Sequence, residues 1–196
     1  TGDKTKGEST QDRARRLSDA AHALLQRGQA EAALPLAREA VGLAPSSAEA
    51  RKNLALALAD TEQYDEALKQ CREALRLDPK MDTAHNVMGK ILHGQGRLSG
   101  AVAEYREAIR LNPNYAKAYY NLGVTFYQMG RFAEALTAYH AAERLAPGQP
   151  VVKLNMGWAF FKLGRAGDAR AKWLEASAMG DPVVARAAQE ALRGLP

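Results

Sequence analysis

The chain is poor in the residues that do covalent chemistry or staple a fold together. Its 196 residues include one cysteine, Cys71, which excludes an intramolecular disulfide and a cysteine metal site. Four histidines, His22, His85, His93 and His140, are scattered along it. They form no HExxH pair, and His85 and His93 share a helical face without a carboxylate ligand. Gly94-Gln95-Gly96 has neither a preceding strand nor the third glycine of a dinucleotide fingerprint. No nucleophile with a base and no paired carboxylates emerge. The expectation is a non-enzymatic chain with no catalytic residues, no cofactor and no metal. Phe and Trp are few, and no window alternates Val, Ile and Thr as strands do. No run of about eighteen apolar residues is present to span a bilayer.

What remains is mostly alanine, leucine and arginine. The hydrophobic fraction of 46% supports a core and 25% charged residues solvate its outside, the balance of a folded all-α protein. The net charge of +5 raises nucleic acid as a partner. Most basic residues, however, stand beside acids: Arg38–Glu39, Arg72–Glu73, Arg106–Glu107 and Glu143–Arg144. That is the pattern of a solvated helix face. No aromatics interleave with the cations as single-strand binders require. A nucleic-acid-binding helical repeat is the disfavoured alternative, and it needs the basic residues to converge on one face.

Periodicity organises the rest. Pro45, Pro79, Pro113 and Pro147 recur every 34 residues. Gly28, Gly96, Gly130 and Gly164 keep the same phase, with Glu62 as the one departure. Two series of small residues follow suit: Ala33, Ala67, Ala101, Ala135 and Ala169, then Ala40, Ala74, Ala108, Ala142 and Ala176. The expected repeats are 14–47, 48–81, 82–115, 116–149 and 150–183, each a helix, a glycine turn and a second helix. Residues 1–13 are expected to be a flexible polar tail. Ser46-x-x-Glu49 has capping-box spacing, and Pro150 suits a first helical position. Asp181-Pro182 opens a last helix that stops at Gly194. The segment 184–196 is expected to cap the array, with Val184, Ala187, Ala188, Ala191 and Leu192 turned inward, because a stacked array needs a polar outer face at its end. Eleven helices are predicted in all.

The clearest copy is Ala116 to Gln149. There Tyr119-x2-Leu122-Gly123-x2-Phe126, Ala135-x3-Tyr139 and Pro147 closely resemble the tetratricopeptide repeat, or TPR, with an aromatic swap at the first place. The resemblance covers residues 14–183. It implies a right-handed superhelical solenoid of five helix-turn-helix repeats plus a capping helix. By the same resemblance Cys71 takes a place usually given to a buried aromatic, and is expected to be a small core residue.

The implied function is a scaffold or adaptor that binds a protein partner in the concave groove lined by each repeat's first helix. The groove-facing places include Lys52, Asn53, Lys90, Tyr120, Asn121, Val124, Tyr127, Leu154, Asn155, Trp158 and Phe161. Asn53, Asn121 and Asn155 share the place where family members hold an extended peptide's backbone, which is also simply the usual residue there. The groove is expected to be basic at its N-terminal end, through Arg15, His22, Lys52 and Lys90, and aromatic at its C-terminal end. Helix 150–163 is apolar nearly all round, and Trp158 replaces a usual polar residue. Trp158 is therefore the expected anchor for an apolar side chain of the partner. The two-carrier clamp for chaperone C-terminal carboxylates is disfavoured, because Leu56 and Val87 stand where it uses asparagine.

A narrower alternative is a bacterial outer-membrane lipoprotein of the pilotin type, assisting type IV pilus secretin assembly. Such proteins are compact TPR arrays on a short polar tether. Five repeats plus a cap depart from their usual six. The anchoring cysteine, with its lipid, is expected upstream of Thr1 in a processed chain. The compartment stays open between bacterial cytoplasm and the periplasmic face of the outer membrane.

Overall fold

The structure, a computed structural model, describes residues 8–195. Among the described residues there are eleven α-helices and no strand. The chain divides between Arg97 and Leu98 into two compact units. The first holds α1 (Thr10–Gln26), α2 (Ala30–Leu43), α3 (Ala48–Asp60), α4 (Tyr64–Leu77) and α5 (Asp82–Gly94). The second holds α6 (Leu98–Leu111), α7 (Ala116–Gln128), α8 (Phe132–Leu145), α9 (Pro150–Lys162), α10 (Ala166–Ser177) and α11 (Pro182–Arg193).

Within each unit every helix packs on the next. The first helices of successive repeats also touch, α1 on α3, α3 on α5 and α7 on α9. Both alanine series explain this closeness. Every member is buried, because a larger side chain where two helices cross would force their axes apart. At one tight crossing in the second unit the small residue is glycine. A Cβ on Gly123 would fall 2.5 Å from Cε1 of Tyr139.

The turns repeat as closely as the crossings. Gly28, Gly96, Gly130 and Gly164 have φ of 72°, 73°, 75° and 74°, and Glu62 takes the same left-handed conformation at 60°. Glu62 N–H donates to the Ala59 carbonyl at 3.1 Å and Gln63 N–H to the Leu58 carbonyl at 2.8 Å. That is the hydrogen-bond pair of a Schellman cap, so the turn keeps its geometry although a side chain has replaced glycine.

Two helix N-termini differ from expectation, and a third, at Asp181-Pro182, is where the sequence marks it. Ser9 caps α1, its hydroxyl accepting from Asp12 N–H at 3.0 Å, so the helix starts at Thr10 and residues 10–13 are not tail. Residues 1–7 of that expected tail lie outside the described residues. At α3 the cap is Ser47, accepting from Ala50 N–H at 3.2 Å, rather than Ser46. Glu49 is thereby freed from a capping box and pairs with Lys52. The last helix begins at Pro182, with Asp181 Oδ1 accepting from the N–H groups of Val183 and Val184 at 2.9 and 3.0 Å. Val184, Ala188 and Ala191 of α11 are buried, while Arg186, Gln189, Glu190 and Arg193 are exposed.

Candidate partner-binding groove

Helix α9 presents apolar residues on two faces. Met156, Gly157 and Phe160 are buried inside its own repeat, while Val151, Leu154, Trp158 and Phe161 are half-buried on the other side. Trp173, on α10, holds this second face in place. It is 1% exposed, and its indole N–H donates to the Leu154 carbonyl at 3.2 Å. The Trp158 ring stands edge-on to Trp173 with centroids 4.8 Å apart. Phe161 lies 5.9 Å from Trp173 and 6.3 Å from Trp158. The two contacts of Trp158 are edge-to-face, which suits the ring quadrupoles, while Phe161 is tilted on Trp173, so Trp158 and Phe161 form one braced wall.

Each side of that wall is a groove. The larger, about 450 Å³, is lined by Val124 and Tyr127 of α7, Tyr139 of α8, and Asn155, Trp158, Phe161 and Lys162 of α9. The smaller, about 300 Å³, adds Trp173 and the α11 side through Ala187, Glu190, Ala191 and Gly194. Tyr127 is steadied by Phe132 across the turn, with centroids 5.2 Å apart.

The polar groups of the larger groove are partly committed. Asn155 Nδ2 donates to the Tyr120 hydroxyl at 3.1 Å, which leaves Asn155 Oδ1 as an acceptor. Burial raises the Tyr120, Tyr127 and Tyr139 phenols above the ordinary tyrosine value, and their mutual proximity raises Tyr139 further. All three hydroxyls therefore stay neutral at physiological pH and serve as hydrogen-bonding groups. Below the wall, Lys153 of α9 bridges Glu143 of α8 and Glu175 of α10, each at 2.5 Å, and Lys172 joins Glu175 at 3.1 Å. The Glu143 carboxylate, with Glu175, raises the Lys153 pKa, and Lys153 lowers that of Glu175.

Of the residues expected from sequence, Val124, Tyr127, Asn155, Trp158 and Phe161 meet in the larger groove. Leu154 and Tyr120 do not line it; they brace it through the Trp173 and Asn155 hydrogen bonds. Asn121 is half-buried outside the lining, and its carbonyl accepts from the Thr125 hydroxyl at 2.8 Å.

The three residues of the first unit need correction. Asn53 is 1% exposed and donates to the Ser18 hydroxyl and carbonyl at 2.9 and 3.2 Å. Its Oδ1 is buried without a partner, so the side chain ties α3 to α1 instead of facing a peptide. Lys52 is buried beside Glu49, and Lys90 is paired with Asp60. The expected basic end thus loses much of its free charge. Trp173, Tyr139 and Lys162 lie outside the sequence expectation. The first two read as core by periodicity, and a lone lysine at a helix end carries no pattern.

Family models match most of this span: "Tetratricopeptide repeat" over residues 18–82 and 116–149, and "TPR repeat" over 89–130. The chain belongs to the tetratricopeptide-repeat family. No curated protein matches it. Among solved structures it is similar to PilF of Pseudomonas aeruginosa, at 29% identity and TM-score 0.75, covering 88% of this chain and 79% of that one. A thermophilic TPR protein of Thermus thermophilus superposes with TM-score 0.80 at 21% identity, over 91% and 98% of the two chains. YrrB, described as a TPR protein with an unusual peptide-binding site, matches with TM-score 0.64 at 23% identity, over 93% and 94%. TPR proteins bind protein or peptide partners and are generally non-catalytic scaffolds. Among the described residues no group of three or more His, Cys, Asp or Glu side chains could hold a metal ion, and no helix is long and apolar enough to cross a membrane.

Proposed function

We propose that this TPR protein is a scaffold for assembling a protein complex, and that its partner inserts an apolar side chain against Trp158 in the larger α7–α9 groove. The observation that carries the reading is the braced, half-buried Trp158–Phe161 wall. A tryptophan held by its neighbours but left partly in water has lost side-chain freedom before binding, so covering it costs little further entropy. Tryptophans in such desolvating pockets dominate interface energies. Asn155 Oδ1 takes a backbone N–H of the partner in this arrangement. The Asn121 and Asn53 contacts expected from sequence are not part of it.

The test uses peptides selected from a displayed random library on the intact chain. Trp158→Ala should weaken them at least about thirtyfold, the equivalent of roughly 2 kcal/mol, with the melting temperature recorded alongside. Val124→Arg, which fills only the larger groove, should abolish binding, whereas Ala187→Arg, in the smaller one, should not. Peptides indifferent to both Trp158 and Val124 would sink the reading.

The similarity to PilF favours one narrower reading, the pilotin-type lipoprotein that assists secretin assembly. It is supported at 29% identity over 88% of the chain. The sequence preceding Thr1 in the gene product tests it. A lipobox cysteine there supports the reading, and a plain reading frame without one excludes it.

A further inference from the structure

Lys162 is the one charged residue among those lining the larger groove. Among the described residues it makes no ion pair or hydrogen bond. Its neighbours in sequence and in space behave differently. Lys153 on the same helix is held by two carboxylates, Arg165 pairs with Asp168 at 2.7 Å, and Arg131 pairs with Glu134 at 2.5 Å. Glu190, the acid of the neighbouring groove, is paired with Arg186 at 3.2 Å. An apolar slot with a single ammonium at its rim is therefore left with positive charge that no described residue answers.

We propose that the groove selects a peptide segment carrying an acidic residue beside its apolar anchor. This rests on the docking reading above and adds the charge of the partner. The anchor fills the space between Val124, Tyr127, Trp158 and Phe161, and the adjacent carboxylate meets the Lys162 ammonium. With the anchor seated, the apolar wall excludes water from one side of the pair, which strengthens it beyond an exposed salt bridge. The same charge disfavours segments with Lys or Arg next to the anchor, so it acts on specificity more than on raw affinity.

Lys162 also lies in the last turn of α9, where a cation complements the helix dipole. The test must separate that role from binding. Three synthetic peptides share one apolar anchor from the selected set and carry Glu, Ser or Lys beside it. Each is titrated against the intact wild-type chain, Lys162→Gln, Lys162→Glu and Val124→Arg. Glu should bind about fivefold or more tighter than Lys at low ionic strength, and the gap should narrow at about 0.5 M salt. Lys162→Gln should remove the preference and Lys162→Glu should invert it. A helix-dipole role alone would lower the melting temperature without changing the order of the peptides, and that result overturns the proposal. So does a Val124-dependent peptide set with no acidic preference, although the groove reading then stands. Loss of Val124 dependence fails both. Trp158-dependent capture of a thymidine oligonucleotide in place of peptides would also overturn it.

Discussion

The Trp173 indole lies so close to the backbone of Gly157 that a Cβ there would fall 2.3 Å from its Nε1. The same Nε1–H is spent on the Leu154 carbonyl at 3.2 Å. The pair is the second unit's version of a rule that runs through the chain. Where the second helix brings tyrosine or tryptophan, the first offers glycine, as at Gly123 and Tyr139. Where the second helix brings Cys71, the equivalent first-helix residue is Ala55, and both are fully buried. Volume is conserved across the crossing, which close packing demands.

Gly157→Ala should therefore be destabilising although alanine is the better helix former. Helix propensity favours alanine by about 1 kcal/mol, but forcing the indole aside costs roughly 1–3 kcal/mol and strains its hydrogen bond. The expected net loss, read by urea denaturation, comes with a shift in tryptophan emission as the Trp158–Trp173 contact opens. An unchanged or raised midpoint would mean the indole has somewhere to go.

Glu62 is the turn residue that should gain from becoming glycine. Its φ of 60° costs an L-residue roughly 1 kcal/mol, offset in part by the greater unfolded-state freedom of glycine. Glu62→Gly should raise stability by a few tenths to about 1 kcal/mol. If thermal melts show no gain, the Schellman hydrogen bonds at Leu58 and Ala59 already absorb the strain.

Cys71 should behave as a core atom. It is fully buried, and its thiol donates to the Ala84 carbonyl at 3.3 Å. Labelling by a soluble thiol reagent should proceed only as fast as the first unit opens, and should speed up in parallel with added denaturant. Immediate labelling of the native protein would contradict the burial.

The Lys153 cluster sets a pH window. Glu175 is held below the ordinary carboxylate value of 4.5, so its contribution is present above that value and lost as the pH falls through the depressed one. Lys153 is raised above 10.5, so its contribution is complete below 10.5 and lost only as the pH rises through the raised value. Between about pH 5 and 10 the bridge is intact, and Lys153→Met should cost on the order of 1 kcal/mol at pH 7. The difference between variant and wild type should shrink on either side of that window. A constant difference across the whole range from acid to alkali would assign the effect to packing of the lysine stem.

Periodicity alone made the architecture legible. Prolines, turn residues and crossing alanines recur at one spacing, and each series answers a local steric requirement that holds whatever surrounds the repeat. Even the exception at Glu62 was readable, because the backbone of a closing turn is set by its own few residues. The aromatic wall was legible in part, since Trp158 stands at a place that usually holds a polar side chain.

Partnership was a different matter. Asn53 and Asn155 hold equivalent places in their repeats, yet one is sealed beneath Ser18 and the other keeps an open acceptor beside Tyr120. Lys52 and Lys162 are both lysines on first helices, yet one is buried against Glu49 and the other, among the described residues, stands unpaired at the groove. The sequence by itself determined where the helices begin, turn and cross, because those constraints act within a few residues of the chain. Which polar groups remain free for a partner was decided by the tertiary structure, because hydrogen bonds and ion pairs are claimed by whatever side chain packing brings within about 3 Å.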